Sequence, residues 1–258
     1  MDYWHKQSVD APLYPDLAWD KPERKDQAGR LLIVGGNLHG FSAPAKAYEI
    51  VVQRGIGSVQ IILPDALRST LHAFWTDAVF CPSTPSGSFA VDGKELILGR
   101  ALWADGILLP GDLGRNSETA VMLDEIVKSF NPQIVITKDA LDYYLNRPKN
   151  LFERPNTTIV ASFSQLQKLS TSLGQKTPLK FSMNLIQLVE YLQQLTTTFP
   201  VNIITVFEQK YLVACGGLIS TTDGADKDLW RLNTASKAVV DILHYPGKTF
   251  EALTHSVL

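Results

Sequence analysis

Residues 29–45, with the sequence GRLLIVGGNLHGFSAPA, place a strand, a glycine turn and a helix start in immediate succession. Four apolar residues at 31–34 run without a polar break, which is typical of a strand buried on both faces. Gly35 and Gly36 end this strand, and glycine permits a sharp turn or a close backbone approach to a ligand. Ser42 is a suitable N-cap, and Pro44 fits the first turn of the following helix. The pattern predicts either a structural strand–helix turn or a site whose backbone N–H groups bind an anion or polar ligand.

Apolar strands alternate with amphipathic helices along most of the chain. This order predicts parallel βαβ units and a doubly wound α/β fold of about seven or eight strands. A second glycine turn at residues 110–116 also leads from a strand into a helix, and both turns are expected beyond the carboxyl ends of the strands, where ligands bind. The other predicted strands are residues 59–63, 106–109, 134–136, 158–161, 201–207 and 211–215, and the longer predicted helices are residues 45–54, 117–130, 181–195 and 229–243.

Two segments lack this regular pattern. Residues 1–28 are rich in Pro, Asp and Lys and are predicted to form an irregular N-terminal lead-in. Residues 216–226 are polar and contain glycines, so they are predicted to form a loop. Since neither an internal repeat nor a linker interrupts the remainder, residues 29–258 are predicted to form a single domain.

Composition argues against several classes of protein. With 24 Lys and Arg against 26 Asp and Glu, the formal charge of −2 does not favour a nucleic acid as partner. No apolar run approaches the roughly 18–20 residues of a membrane span, and the first ten residues lack the apolar segment of a signal peptide. These features predict a cytoplasmic protein that binds neither nucleic acid nor membrane. The histidines show no metal-ligand spacing with cysteines or carboxylates, so no metal site is expected.

Several short motifs follow one another in an order that matches a known family. They are Gly35-Gly36-Asn37, Ser42-Ala43-Pro44, Arg54-Gly55-Ile56-Gly57, Pro110-Gly111-Asp112-Leu113-Gly114-Arg115 and Thr137-Lys138-Asp139-Ala140-Leu141. They are similar, in that order, to the Gly-Gly-Ser, Gly-Ala-Pro, Ala-Gly-Ala-Gly, Gly-Pro-Gly-Leu-Gly-Arg and Asp-Ala-Asp-Ala-Leu motifs of the NAD(P)H-hydrate dehydratases. This family, also called the YjeF-related carbohydrate kinases, lies in the ribokinase-like superfamily. The chain resembles a divergent member of it.

The resemblance implies a ribokinase-like three-layer α/β/α sandwich with a mostly parallel central sheet. Family members dehydrate hydrated nicotinamide cofactors in a reaction driven by ADP or ATP, so the resemblance implies a nucleotide site beside a site for NAD(P)H hydrate. Arg115 is either a counter-charge for a phosphate or part of a helix cap. The family is also compatible with a homo-oligomer. The residues implied to bind the dinucleotide-like substrate are Gly35, Gly36, Asn37, Ser42, Gly57, Gly111, Gly114, Arg115 and Asp139.

The second half of the chain departs from the family pattern. The family's Thr-Pro-His-Pro-Gly-Glu motif falls on residues 160–165 without its His or its Glu, and Ser162 with Gln165 is explained as a capping box. The family's Leu-Lys-Gly strand end falls on Thr205-Val206-Phe207. There the bulky Phe207 would obstruct a close approach of the backbone to the nucleotide.

The family's Gly-x-Gly-Asp motif, which supplies an anion hole and the catalytic base, can be aligned in two ways. One alignment uses Arg231-Leu232-Asn233-Thr234, so that Thr234 takes the position of the base and no carboxylate is present. The other uses Asp223-Gly224-Ala225-Asp226, with Gly224 at the nucleotide and Asp226 as the base. Asp226 is alternatively a solvated N-cap of the following helix.

The family residues that this chain lacks favour one function over the others. They all belong to the nucleotide and catalytic side, whereas the turns of the first half are kept. This distribution favours a dehydratase-like protein with lost or reduced dehydratase activity and a retained ligand pocket. The alternatives are an active ADP- or ATP-dependent NAD(P)H-hydrate dehydratase that uses Asp226, and a small-molecule kinase of the same superfamily.

Overall fold

The computed structural model describes residues 2–71, 75–175, 177–224 and 230–258, and its strands form a single sheet. In chain order the strands are β1 (Trp4–Gln7), β2 (Arg30–Val34), β3 (Ser58–Pro64), β4 (Val79–Cys81), β5 (Gly106–Leu109), β6 (Gln133–Thr137), β7 (Thr157–Val160), β8 (Val201–Phe207), β9 (Lys210–Cys215) and β10 (Leu218–Asp223). Their order across the sheet is β1-β10-β9-β8-β7-β6-β5-β2-β3-β4.

Helices connect most of these strands. They are α1 (Ser42–Arg54), α2 (Arg68–Leu71), α3 (Lys94–Ala101), α4 (Ser117–Ser129), α5 (Lys138–Asp142), α6 (Lys149–Phe152), α7 (Phe163–Ser172), α8 (Leu185–Thr198), α9 (Trp230–His244) and α10 (Thr249–His255). Within the described ranges, none of them combines the length and apolar character needed to cross a membrane.

The sheet is mostly parallel. Only β9 runs antiparallel to its two neighbours, and it forms the predicted hairpin with β8. Every other strand ends at the same edge, which we call the carboxyl edge; the opposite one is the amino edge. Both glycine turns follow parallel strands and therefore lie at the carboxyl edge, as the sequence predicts.

Helices cover both faces of the sheet. In β2, Leu32 and Val34 pack into one core with α3, α4, α7 and α8. Leu31 and Ile33 point to the other face and pack with α1, α9 and α10. All four side chains are fully buried, which confirms the prediction of a strand covered on both sides. The result is a three-layer α/β/α arrangement.

The sequence does not reveal strand β10. Residues 216–226 are predicted to be a polar loop, but Leu218–Asp223 pairs with β9 and β1. Its hydroxyls are buried because they have partners: Ser220 Oγ lies 2.8 Å from Thr254 Oγ1, and Thr222 Oγ1 accepts a 2.9 Å hydrogen bond from Gln7. Polar residues are accepted in a buried strand when they are bonded in this way.

The N-terminal lead-in is not irregular throughout. Its residues Trp4–Gln7 form the edge strand β1, parallel to β10. The buried Gln7 amide donates to Thr222 Oγ1 and, at 2.7 Å, to the main-chain oxygen of Thr254. These partners lie more than 200 residues away in the chain, so no local pattern could predict the strand.

Helix α8 begins later than predicted. The expected helix starts at residue 181, whereas α8 starts at Leu185. Asn184 and Gln187 form a capping box that satisfies the first free N–H groups, and this fixes the start of the helix. The predicted capping box of Ser162 and Gln165 is confirmed at the start of α7.

A buried ion cluster joins α1, α9 and α10 near the amino edge. The Arg54 guanidinium donates to both carboxylate oxygens of Asp241, at 2.8 and 2.6 Å. His255 Nδ1 lies 2.8 Å from the same carboxylate. Burial alone would raise the pKa of Asp241, but the hydrogen bonds from Arg54 and His255 outweigh it and hold that pKa below its usual value. The cluster therefore fixes the end of α1 that lies far from the glycine turns.

The substitution Asp241→Asn is expected to lower the free energy of unfolding at neutral pH by about 3–5 kcal/mol, because it leaves the Arg54 cation without its buried counter-charge. Because the pKa of Asp241 is lowered by folding, this contribution is complete above the pKa of an unfolded aspartate and disappears as the pH falls through the folded value. Urea unfolding measures both effects. Asp105→Asn, which breaks the solvent-exposed pair with Arg30, is the matched control and should have a much smaller effect. Equal losses in the two variants would contradict the role of the buried cluster.

Candidate functional site

The two glycine turns pack directly against each other at the carboxyl edge, because β2 and β5 are neighbours. The Gly36 N–H donates to the Gly111 carbonyl at 3.2 Å. A Cβ on Gly35 would lie 2.8 Å from that carbonyl oxygen, and Gly111 adopts a φ of +111°. The structure thus brings together three residues of the predicted substrate site, and the close approach of the two backbones explains the glycines.

Asn37 and Gly114, two further residues of the predicted substrate site, also lie at these turns. Asn37 Nδ2 donates to the main-chain oxygen of Asp112 at 2.6 Å, and its Oδ1 accepts from the His39 N–H at 2.7 Å. On the other side of the turn, Tyr143 Oη donates to the Gly114 carbonyl at 2.9 Å. Burial raises the pKa of Tyr143, so this phenol remains a neutral donor. The second turn is therefore held from both sides.

Asp139 occupies the N–H groups of the second turn. Its two carboxylate oxygens accept hydrogen bonds from the N–H groups of Asp112 and Leu113, at 2.7 and 2.8 Å. A Cβ on Gly111 would lie 2.4 Å from one of those oxygens. The backbone donors that the sequence assigns to an anionic ligand are thus bonded to the chain's own carboxylate. Asp139 is at the site, but its contacts are with the turn.

Asp112 performs the capping that the sequence assigns to Ser42. Its Oδ2 accepts from the Ala43 N–H at 2.7 Å and from Ser42 Oγ at 3.1 Å. Ser42 is the first residue of α1, and the N-cap residue, Phe41, makes no side-chain cap. The prediction of Ser42 as N-cap is therefore wrong, because a carboxylate from the neighbouring turn already satisfies the positive end of the helix.

Lys138, the residue that follows β6, faces the Asp112 carboxylate. Its Nζ lies 3.3 Å from Asp112 Oδ1, and both side chains are largely buried. Asp112 and Lys138 also adopt φ values of +57° and +53°, the left-handed region that residues with a Cβ seldom occupy. Such backbone strain is often found at functional sites. An ion pair between two strained residues therefore marks the middle of the carboxyl edge.

Gln165 connects three elements at this edge, α5, α7 and α9. Its Nε2 donates to the Lys138 carbonyl at 2.8 Å and to Asp142 Oδ1 at 2.6 Å. Its Oε1 accepts from the Ser162 N–H at 3.2 Å and from Arg231 Nη1 at 2.9 Å. The Gln165 side chain is buried, and both ends of its amide are used. It thus ties the strained Lys138 turn to the first turn of α9.

A cleft of about 340 Å³ opens beside the Asp112–Lys138 pair. It lies between the first turns of α1, the start of α9 and the turn after β6. Two of its lining side chains are lysines, and Lys46 pairs with Glu49 at 2.9 Å. The cleft is lined by Ser42, Ala45, Lys46, Glu49, Lys138 and Leu232. This position beyond the strand ends is where doubly wound folds bind ligands.

Other predicted site residues lie apart from this cleft. Gly57 stands at the amino edge, before β3, where a Cβ would lie 1.9 Å from the Lys25 carbonyl; its close contact is with the lead-in and not with the glycine turns. Arg115 is exposed at the end of the second turn. Gly224 is exposed after β10, five strands or about 24 Å from β5.

Of the two positions considered for the catalytic base, the structure describes only Thr234. Asp226 lies outside the described residues. Thr234 lies inside α9 and is 3% exposed, so its hydroxyl is enclosed in the core. In the described part of the chain, no group of three or more His, Cys, Asp or Glu side chains is arranged to hold a metal ion.

Sequence reasoning missed the contacts that charged and amide side chains make in and beside the cleft. Asp112 stands where the family motif has glycine, and Lys138 stands where it has alanine. These two differences from the family motifs, both in the half of the chain that keeps the glycine turns, could have indicated a changed charge at the site. The contacts of Gln165 and Arg231 carry no local signal, because they join residues 66 positions apart.

Comparisons with known proteins agree with the resemblance. No family model matches the chain. The bifunctional NAD(P)H-hydrate repair enzyme Nnr of Methanothermobacter thermautotrophicus is 25% identical over 152 residues, which are 56% of this chain and 29% of the relative. The chain thus spans less than a third of the length of that relative.

Solved structures with the same architecture include a ribokinase-like superfamily protein of Enterococcus faecalis, with a TM-score of 0.73 and 16% identity over 100% of this chain and 86% of the other. An ADP/ATP-dependent NAD(P)H-hydrate dehydratase of Bacillus subtilis, co-crystallized with ATP/Mg²⁺ and soaked with CoA, gives a TM-score of 0.62 and 12% identity over 95% and 86%. The fold is ribokinase-like, and the resemblance to the NAD(P)H-hydrate dehydratases is confirmed.

The substitution Gly111→Ala is expected to lower the free energy of unfolding by at least about 2 kcal/mol, because its Cβ would collide with Asp139 and its φ is unfavourable for alanine. Gly224→Ala is the matched control, since Gly224 also has a positive φ but no atom of the described residues within 4 Å of an added Cβ, and should cost about 1 kcal/mol. Denaturant unfolding compares the two. An equal cost at both positions would show that Asp139 does not enclose the turn.

Proposed function

We propose that this chain is a divergent NAD(P)H-hydrate dehydratase-like protein that binds a dinucleotide- or nucleotide-type ligand at the carboxyl edge, with lost or much reduced dehydratase activity. The ligand would occupy the cleft between α1, Lys138 and Leu232. Support for binding comes from that cleft, from its two lysines and from its place beyond the strand ends of a ribokinase-like sheet.

Gln165 carries the proposal of reduced activity. By the resemblance, it falls where the family has Glu. Near neutral pH a neutral amide carries neither the negative charge nor the titratable proton of a carboxyl group. Moreover, its oxygen and its nitrogen already bond Arg231, Ser162, Asp142 and Lys138. Gln165 therefore has a structural role, in which it joins α7 to the Lys138 turn and to α9.

Phe207 supports the same conclusion at the end of β8. The family's glycine at this position lets the backbone approach the nucleotide. Here the Phe207 ring packs on Phe163, with centroids 5.5 Å apart, and Phe163 packs on Phe181 at 5.0 Å. By the resemblance, these aromatic side chains would fill space next to the family's nucleotide.

ATP or ADP fits this chain through side chains more readily than through backbone groups. The N–H groups of the second turn are bonded to Asp139 and the end of α1 to Asp112. Lys46 and Lys138 line the cleft, and Arg231 is next in sequence to its lining residue Leu232. A bound nucleotide would supply phosphate charge, which these cations would balance.

ADP, NADPH or NADPH hydrate is expected to raise the Tm of the protein, because a ligand at 100 times its Kd stabilises the folded state by about 2.7 kcal/mol. Ala45→Phe should fill the cleft and abolish the shift. Ala120→Phe on α4 is the control at a distant site and should keep it. A thermal-shift titration with each compound measures this binding.

Conversion of NADPH hydrate to NADPH, followed by absorbance with ADP present, should be at least about 10²-fold slower than that of an active dehydratase, the usual contribution of an acid–base group. Stabilisation by none of the three compounds would contradict the retained pocket. Turnover at the rate of the Bacillus subtilis dehydratase would contradict the loss of activity.

A further inference from the structure

Lys138 lines the cleft at the carboxyl edge, and the Arg231 guanidinium lies beside the Lys138 turn. Lys138 reaches it from the turn after β6, and Arg231 immediately precedes Leu232, which lines the cleft from α9. Gln165 holds both residues, since its Nε2 binds the Lys138 carbonyl at 2.8 Å and its Oε1 binds the Arg231 guanidinium at 2.9 Å. One buried amide therefore holds the Arg231 guanidinium close to the Lys138 backbone, whereas Asp112 holds the Lys138 ammonium group.

Arg231 retains donors for a ligand. A guanidinium has five N–H groups, and the described residues receive one hydrogen bond from it, at Gln165. The side chain is partly exposed. A guanidinium fork recognises two oxygens of a phosphate at once, whereas a lysine contributes a point charge. Together they match a polyvalent anion.

Asp112 balances the charge of Lys138. Its Oδ1 lies 3.3 Å from Lys138 Nζ, which is longer than a strong charge-assisted hydrogen bond. Its other oxygen is bonded to α1 through Ser42 and Ala43. The Asp112 carboxylate thus occupies the position next to Lys138 that an anion would take. A phosphate must compete with it for Lys138.

We infer that the cleft binds the phosphate or pyrophosphate group of its ligand through the side chains of Lys138 and Arg231, and that Asp112 sets the affinity by competing for Lys138. This inference rests on the proposed function and names the chemistry of its ligand. Anion binding by backbone N–H groups is replaced by binding through side-chain cations, which Gln165 positions. Phosphate recognition should therefore depend on residues that the family motifs do not contain.

Inorganic pyrophosphate tests the inference by isothermal titration calorimetry at low ionic strength, where charge interactions are least screened. Arg231→Gln and Lys138→Asn should each weaken binding by about tenfold, the effect of losing one charge-assisted hydrogen bond. Asn is used at position 138 because it accepts a left-handed φ. Arg231→Lys should give an intermediate affinity, and the exposed Arg100→Gln at the amino edge should leave it unchanged.

Asp112→Asn keeps the shape and the left-handed conformation but removes the competing charge, so it should bind pyrophosphate about tenfold more tightly than the unaltered chain. The double variant Asp112→Asn, Arg231→Gln should lose that gain. Circular dichroism and the Tm of each variant check its folding. Adenosine, which carries no phosphate, should bind without sensitivity to any of these changes.

Two results would overturn the inference. One is equal pyrophosphate affinity in the unaltered chain and in a folded Arg231→Gln variant. The other is absence of pyrophosphate binding in both the unaltered chain and Asp112→Asn. The proposed function has a separate test: it fails if NADPH, its hydrate and ADP do not bind or if the hydrate is turned over rapidly.

Discussion

The carboxyl edge of this protein depends on hydrogen bonds that its own carboxylates accept from backbone N–H groups. Asp139 binds two N–H groups of the second glycine turn, and Asp112 binds the first turn of α1. Buried backbone donors must be satisfied, and a helix N-terminus attracts negative charge. In this chain both needs are met internally. As a consequence, a strand–turn–helix pattern typical of anion binding is also the pattern of a self-capped structural turn.

Lys138 and Gln165 extend the effect of these carboxylates across the edge. Lys138 pairs with Asp112, and Gln165 joins the Lys138 turn to α7 and α9. Departures from the family pattern are therefore not confined to the second half of the chain. Asp112 and Lys138 lie in the half that keeps its glycines, and they contact each other. Such a pair changes the charge of the site.

Local signals allowed much of the fold to be predicted. The unbroken apolar run of β2, the hairpin of β8 and β9 and the capping box at Ser162 each depend on residues close in sequence. The strands β1 and β10 could not be predicted, because their polar side chains are buried by partners from distant parts of the chain. The same holds for the site. The glycines predicted the two turns. The cap of α1 could not be predicted, because it comes from Asp112, 69 residues away from the N–H it binds.

A crystal structure of the protein with NADPH hydrate and ADP tests the central claim most directly, since it reports both where a ligand lies and whether it has reacted. We expect an intact hydrate or a nucleotide in the cleft between α1, Lys138 and Leu232, with its phosphates on side-chain cations and Asp139 still bonded to the second turn. NADPH in place of the hydrate, or phosphates bound by the N–H groups of residues 112–113 after displacement of Asp139, would contradict this account.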